Sequence, residues 1–89
     1  MLRREVEIVN QEGLNAPASA MLAQLASRYL SDVSVGRSGR KVNAKSLMGV
    51  MMLAAGPGSR IVIETDGPDE SDALEAIVAL IAGHFGAYA

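Results

Sequence analysis

Few residues in this chain of 89 can do covalent chemistry. There is no cysteine, which excludes a disulfide framework, a thiolate zinc site and a cysteine nucleophile. The sole histidine, His84, stands beside an apolar stripe with no triad partner or ligand set spaced around it. It reads as a partly buried packing residue or a surface one. No metal-ligand spacing occurs, and no Ser-His-Asp set assembles. Gly56-Pro57-Gly58 is not a phosphate loop, because no Lys-Ser/Thr follows in the required frame. Two helix starts remain. A helix N-terminus turns free backbone N–H groups outward and carries partial positive charge, so it suits a phosphate. Ser46, preceded by Lys45 and close to Arg40 and Lys41, is a candidate phosphorylation site, and its hydroxyl equally serves as an ordinary N-cap. Asn15, at the other start, reads on spacing alone as a cap.

The elements that must position these residues follow from periodicity. Residues 4 to 9 alternate, with Val6 and Ile8 opposite Glu5 and Glu7, the pattern of a half-buried strand. From Asn15 the spacing turns helical through Leu22, Leu25, Ala26 and Tyr29, predicting a helix over 16–29 with Pro17 in its first turn. Val33 and Val35 mark a second strand, and Ser38-Gly39 a hairpin turn into Lys41-Val42. Ser46 starts a short helix carrying Leu47, Val50, Met51 and Ala54, which Gly56-Pro57-Gly58 ends. Ile61 and Ile63 belong to the last strand. Asp66-Gly67-Pro68 turns the chain into a final helix from about Asp69, with an acidic first turn and an apolar stripe of Leu74, Ile77, Val78, Ile81 and Phe85. The order predicts an α+β fold, one antiparallel sheet with helices on one face. The expected organisation is one domain over residues 1–89, with Gly86 to Ala89 fraying.

Composition narrows the function class. The N-terminal segment lacks the apolar region of a signal peptide, and no apolar run approaches the ~20 residues of a membrane span, so the expectation is a soluble cytoplasmic protein. A formal net charge of −2 and strands without aromatic residues argue against nucleic-acid binding. Charge is segregated along the chain: Arg37, Arg40, Lys41 and Lys45 form one group, and Glu64, Asp66, Asp69, Glu70, Asp72 and Glu75 another. Two such poles could orient a charged partner, or be two solvated faces.

The segment Lys41-Val42-Asn43-Ala44-Lys45-Ser46-Leu47-Met48-Gly49-Val50-Met51 resembles, almost residue for residue, the regulatory-serine segment of the HPr family. These are the phosphocarriers of the phosphoenolpyruvate-dependent sugar phosphotransferase system. Gly67-Pro68-Asp69-Glu70-Ser71-Asp72-Ala73-Leu74-Glu75-Ala76-Ile77 is similar to the family's last-helix entry. The similarity runs without gaps over essentially the whole chain. It implies an open-faced β-sandwich of order βαββαβα, a four-stranded antiparallel sheet with three helices on one side. No cofactor or metal is implied. The implied partners are Enzyme I, EIIA-type proteins and HPr kinase/phosphorylase, and the implied partner-binding residues are Ala16, Ala20, Gln24, Lys45, Leu47, Met48 and Met51.

The departure from the family falls at its acceptor site. The family's first helix opens Gly-Leu/Ile-His-Ala-Arg, where the His takes phosphate from Enzyme I and the Arg assists. Here the segment reads Gly13-Leu14-Asn15-Ala16-Pro17, and the Ala18-Ser19-Ala20 that follows resembles alphaproteobacterial members. An imidazole nitrogen is nucleophilic near neutral pH, whereas an amide nitrogen gives its lone pair to the carbonyl. Loss of the Arg removes a fixed charge and a bidentate phosphate donor. Three readings follow: a regulatory relative acting through Ser46; a phosphocarrier with an altered acceptor site, inert in transfer; and an interaction module that reuses the fold.

Overall fold

The computed structural model describes residues 1–86. Its elements run β1 (Leu2–Glu7), α1 (Ala16–Ala26), β2 (Asp32–Arg37), β3 (Arg40–Asn43), α2 (Leu47–Met52), β4 (Arg60–Asp66) and α3 (Glu70–Ala82). The four strands make one antiparallel sheet in the order β1-β4-β2-β3. Because side chains alternate across a strand, Val33, Val35, Ile61, Ile63 and Thr65 turn to one face and are buried there. Leu22 and Ala26 of α1, Val50 of α2, and Leu74, Ile77 and Ile81 of α3 close over them. The other face stays open and carries Arg3, Glu5, Ser34, Lys41 and Glu64, the polar half of the same alternation. This is the βαββαβα open-faced sandwich that the sequence predicts.

The hairpin at Ser38-Gly39 has φ of 52° and 81°, the left-handed pair whose twist suits a two-residue β-turn. Several boundaries differ from the periodicity. β1 starts at Leu2 and ends at Glu7, because its partner β4 runs from Arg60 to Asp66. Ile8 still pairs beyond it, donating to the Ser59 carbonyl at 2.8 Å and accepting from the Gly58 N–H at 2.8 Å. α1 stops at Ala26 rather than 29. Ser27 closes it by donating its hydroxyl to the Ala23 carbonyl at 2.8 Å, and Arg28 and Tyr29 wind more tightly onto the carbonyls three residues back. Leu30 and Ser31 are then pulled out of helix by Asp69, whose carboxylate accepts both backbone N–H groups at 2.9 Å. Ala54 lies past the end of α2, in left-handed conformation at φ 52°.

At the C-terminal end the helical stripe overruns the helix. α3 ends at Ala82, and both His84 (φ 56°) and Phe85 (φ 58°) are left-handed. Phe85 donates its N–H to the Leu80 carbonyl at 2.9 Å and returns its ring to the core, fully buried. His84 is therefore outside the helix and exposed. The Gly86 N–H donates to the Gly83 carbonyl at 3.0 Å. The fraying expected for residues 87–89 lies outside the described residues.

Candidate functional site

α1 is entered through a turn that admits one residue type. Gly13 is buried with φ of 65°, and a Cβ there would sit 2.6 Å from the Ala55 carbonyl oxygen. The close approach lets Leu14 donate its N–H to that same oxygen at 2.8 Å, splinting the 54–56 loop to the start of α1. Asn10, buried beneath, donates Nδ2 to the Gly13 carbonyl at 2.9 Å, and its Oδ1 has no partner among the described residues. Asn15 is the N-cap, in extended conformation, and its Oδ1 accepts from the Ala18 N–H at 3.1 Å. Its backbone carbonyl takes the Ser19 N–H at 2.8 Å, while Ser19 sends its hydroxyl to the Leu14 carbonyl at 3.1 Å.

Pro17 occupies the second helical position and is exposed. Its missing N–H breaks no helical bond there, since the first amides of a helix have no internal acceptor. The proline also subtracts a donor from the helix end. With Ala18 held by Asn15 and Pro17 bearing no N–H, this end offers an anion fewer amides than an ordinary helix start.

α2 begins differently. Ser46 caps it by accepting the Gly49 N–H at 3.1 Å, and the hydroxyl is exposed. A Cβ at Gly49 would come within 3.3 Å of both Ser46 Oγ and the Asn43 carbonyl oxygen, so the glycine keeps the hydroxyl uncrowded. Lys45 precedes it and donates Nζ to the Tyr29 carbonyl at 2.8 Å, tying the end of α1 to the start of α2. Val50 and Leu53 are buried under α2, whereas Leu47, Met48, Met51 and Met52 face solvent. Helical spacing alone could not separate core from docking patch for these methionines. The structure places them outside the core.

Four of the residues implied as partner-binding come together. Ala20, Gln24, Lys45 and Leu47, with Ala23 and Ser27, line a shallow groove of about 370 Å³ between α1 and α2. Ala16 is exposed in the first turn of α1, and Met48 and Met51 lie on the outward side of α2. Sequence reading missed Met52, 60% exposed, although its spacing of four from Met48 was a usable signal. It also missed Ala23 and Ser27, whose small side chains carry no chemical signal. A larger depression of about 540 Å³ lies over β2, β3 and β4, lined in part by Asp32, Ser34, Asn43 and Glu64. Two of the cations that line it are already engaged, Lys41 by Glu64 and Lys45 by the Tyr29 carbonyl, and the groove beside Ser46 is the better candidate.

The two charge groups of the sequence are joined by one ion pair among the described residues. Lys41 meets Glu64 at 2.7 Å across the open face, and this bond holds the Glu64 carboxyl below its ordinary range. Arg37 and Arg40 donate to the Leu53 and Met52 carbonyls at 3.1 and 3.2 Å, at the C-terminal end of α2, where cations offset the helix dipole. Among the described residues no three His, Cys, Asp or Glu side chains gather as a metal site. No helix there is long and apolar enough to cross a membrane.

The fold is a small open-faced α+β sandwich, with two helix starts beside a shallow groove. The chain belongs to the HPr family of the phosphotransferase system. The family model described as "PTS HPr component phosphorylation site" matches residues 2–83. The phosphocarrier protein HPr of Cupriavidus necator is 58% identical over 86 residues, covering 97% of each chain. The HPr-like protein Crh of Bacillus subtilis is 41% identical over 81 residues, covering 91% of this chain and 95% of its own. Among solved structures, HPr-C-His from Thermoanaerobacter tengcongensis superposes with a TM-score of 0.95 at 38% identity, over 100% of both chains. Members of this family are phosphocarriers rather than enzymes.

Proposed function

We propose that this chain is a regulatory HPr-family protein that does not carry phosphate at residue 15 and is switched by phosphorylation of Ser46. By the family resemblance, Asn15 stands where the acceptor His would be and Pro17 where the assisting Arg would be. The observation that carries the reading is the state of the α1 end. Asn15 Oδ1 is engaged with Ala18, Pro17 has no N–H, and no nucleophilic nitrogen is present. Ser46, by contrast, is an exposed hydroxyl on an intact cap.

An HPr kinase/phosphorylase would supply the phosphoryl group from ATP. Ser46 Oγ forms the new O–P bond, the bond from the γ-phosphorus to the bridging oxygen breaks, and ADP leaves while the hydroxyl proton passes to the kinase. The product adds roughly −1.5 to −2 charges beside Lys45 and at the positive end of α2, so the fold need not change. Docking uses Ala16, Ala20, Gln24, Lys45, Leu47, Met48 and Met51, the groove and the outward side of α2. Enzyme I and EIIA-type proteins are the further partners, and the compartment is the cytoplasm.

The test weighs two products. With Enzyme I and phosphoenolpyruvate the mass stays unchanged, and with HPr kinase and ATP one phosphoryl group is added and disappears in Ser46→Ala. Acid-labile phosphate from the first reaction would overturn the claim for residue 15, and no gain from the second would overturn the role of Ser46. The double revertant Asn15→His, Pro17→Arg regains transfer from Enzyme I.

A further inference from the structure

The chain carries sulfur only in five methionines, and no thiol competes with them for an oxidant. Met21 is half-buried and packs against the core. Met1 is exposed at the chain start. The other three share α2: Met48 is 72% exposed, Met52 60% and Met51 41%. Their spacing of three and four residues puts them side by side on one strip of helix. The inward residues of this segment, Val50 and Leu53, carry no sulfur and hold it to the core. A soft, oxidisable surface is thus separated from what keeps α2 in place.

We propose that Met48, Met51 and Met52 form a modification site for peroxides, whose oxidation turns off the apolar face of α2 without unfolding the protein. Each thioether sulfur gives a lone pair to one peroxide oxygen. The S–O bond forms, the O–O bond breaks, and the departing oxygen leaves as water after taking up protons from the peroxide and solvent. Sulfur is oxidised by two electrons and the peroxide is reduced by two. A flexible apolar side chain becomes a polar, chiral sulfoxide. Burying that S=O against a partner without a donor is unfavourable, so docking weakens while the core is untouched. The consequence for docking rests on the reading that this face meets a partner.

The full chain, treated with hydrogen peroxide, tests this by peptide-mapped mass spectrometry. Oxygen is added first at Met48, Met52 and the exposed Met1, then at Met51, and last at Met21, with circular dichroism and thermal midpoint unchanged. KM for phosphorylation of Ser46 by HPr kinase rises about tenfold, equivalent to about 1.4 kcal/mol. The triple variant Met48→Leu, Met51→Leu, Met52→Leu keeps its untreated KM after peroxide. Equal oxidation of Met21, unfolding on treatment, or an unchanged KM in the treated parent chain overturns the proposal. If untreated protein is not phosphorylated at all, the Ser46 reading fails by itself. Retention on a phenyl matrix then decides the present proposal: earlier elution of the treated parent but not of the triple variant supports it, and unchanged elution of the parent overturns it.

Discussion

Asn15 holds the entry to α1 through its Oδ1 bond to the Ala18 N–H, at 3.1 Å. An amide oxygen suits this position, since Asn ranks among the best N-caps. Asn15→Ala should lower folding stability by about 1 kcal/mol, read as a drop in the urea midpoint with the denaturant slope unchanged. Asn15→Asp, which keeps an acceptor at the same place, should restore most of it. Both caps, Asn15 and Ser46, were legible in the sequence because side-chain capping is a local interaction. The approach of Gly13 to Ala55 was not. It joins residues far apart in the chain, and a glycine in sequence does not say which backbone will press against it.

Among the elements, the clasp between Asp69 and the α1–β2 connection joins residues far apart in the chain. Asp69 sits at the N-cap of α3 yet makes no side-chain bond to its own helix. Its carboxylate instead accepts from the Leu30 and Ser31 N–H groups and the Ser31 hydroxyl, while its own N–H donates back to Ser31 Oγ at 3.1 Å. The Ser31 hydroxyl, ahead of the Leu30 amide, holds the Asp69 carboxyl below its ordinary range. Glu70 is lowered similarly, first by the Gly67 N–H and then by the Met1 ammonium. As pH falls the folded state takes up protons later than the unfolded chain. The stabilisation is therefore complete above the ordinary carboxyl values and is lost below about pH 4 as the folded values are crossed. Asp69→Asn should lower the urea midpoint at neutral pH and flatten its acid dependence, which urea titrations between neutral and acid pH would show. An acid slope equal to that of the parent chain would remove the clasp as its cause. This pairing explains why the chain leaves helix before β2: Leu30 and Ser31 are claimed by a residue that follows β4 at the same end of the sheet. The stripe reaching Phe85 misled for a related reason. A left-handed turn after Ala82 returns the ring to the same core that a continued helix would have reached.

At the scale of the molecule, β4 has a partner on each side and turns Ile61, Ile63 and Thr65 into the core, where α3 packs against it. A chain of this size carries about 4 to 13 kcal/mol of net stability. Ile63→Ala should remove about 2–5 kcal/mol of it, leaving a protein that unfolds at low urea or does not fold at all. The layer order was legible from alternation and helical spacing, which is why the βαββαβα sandwich could be drawn from sequence. Which side of α2 meets water was not legible, because Leu47, Met48, Val50 and Met51 are all apolar and only packing separates them. That outward apolar side also has a calorimetric consequence. A partner that covers Met48, Met51 and Met52 strips water from thioethers and methylenes, so its binding enthalpy should become more exothermic as temperature rises. The negative heat-capacity change would be the thermal imprint of a helix that keeps its apolar side facing outward.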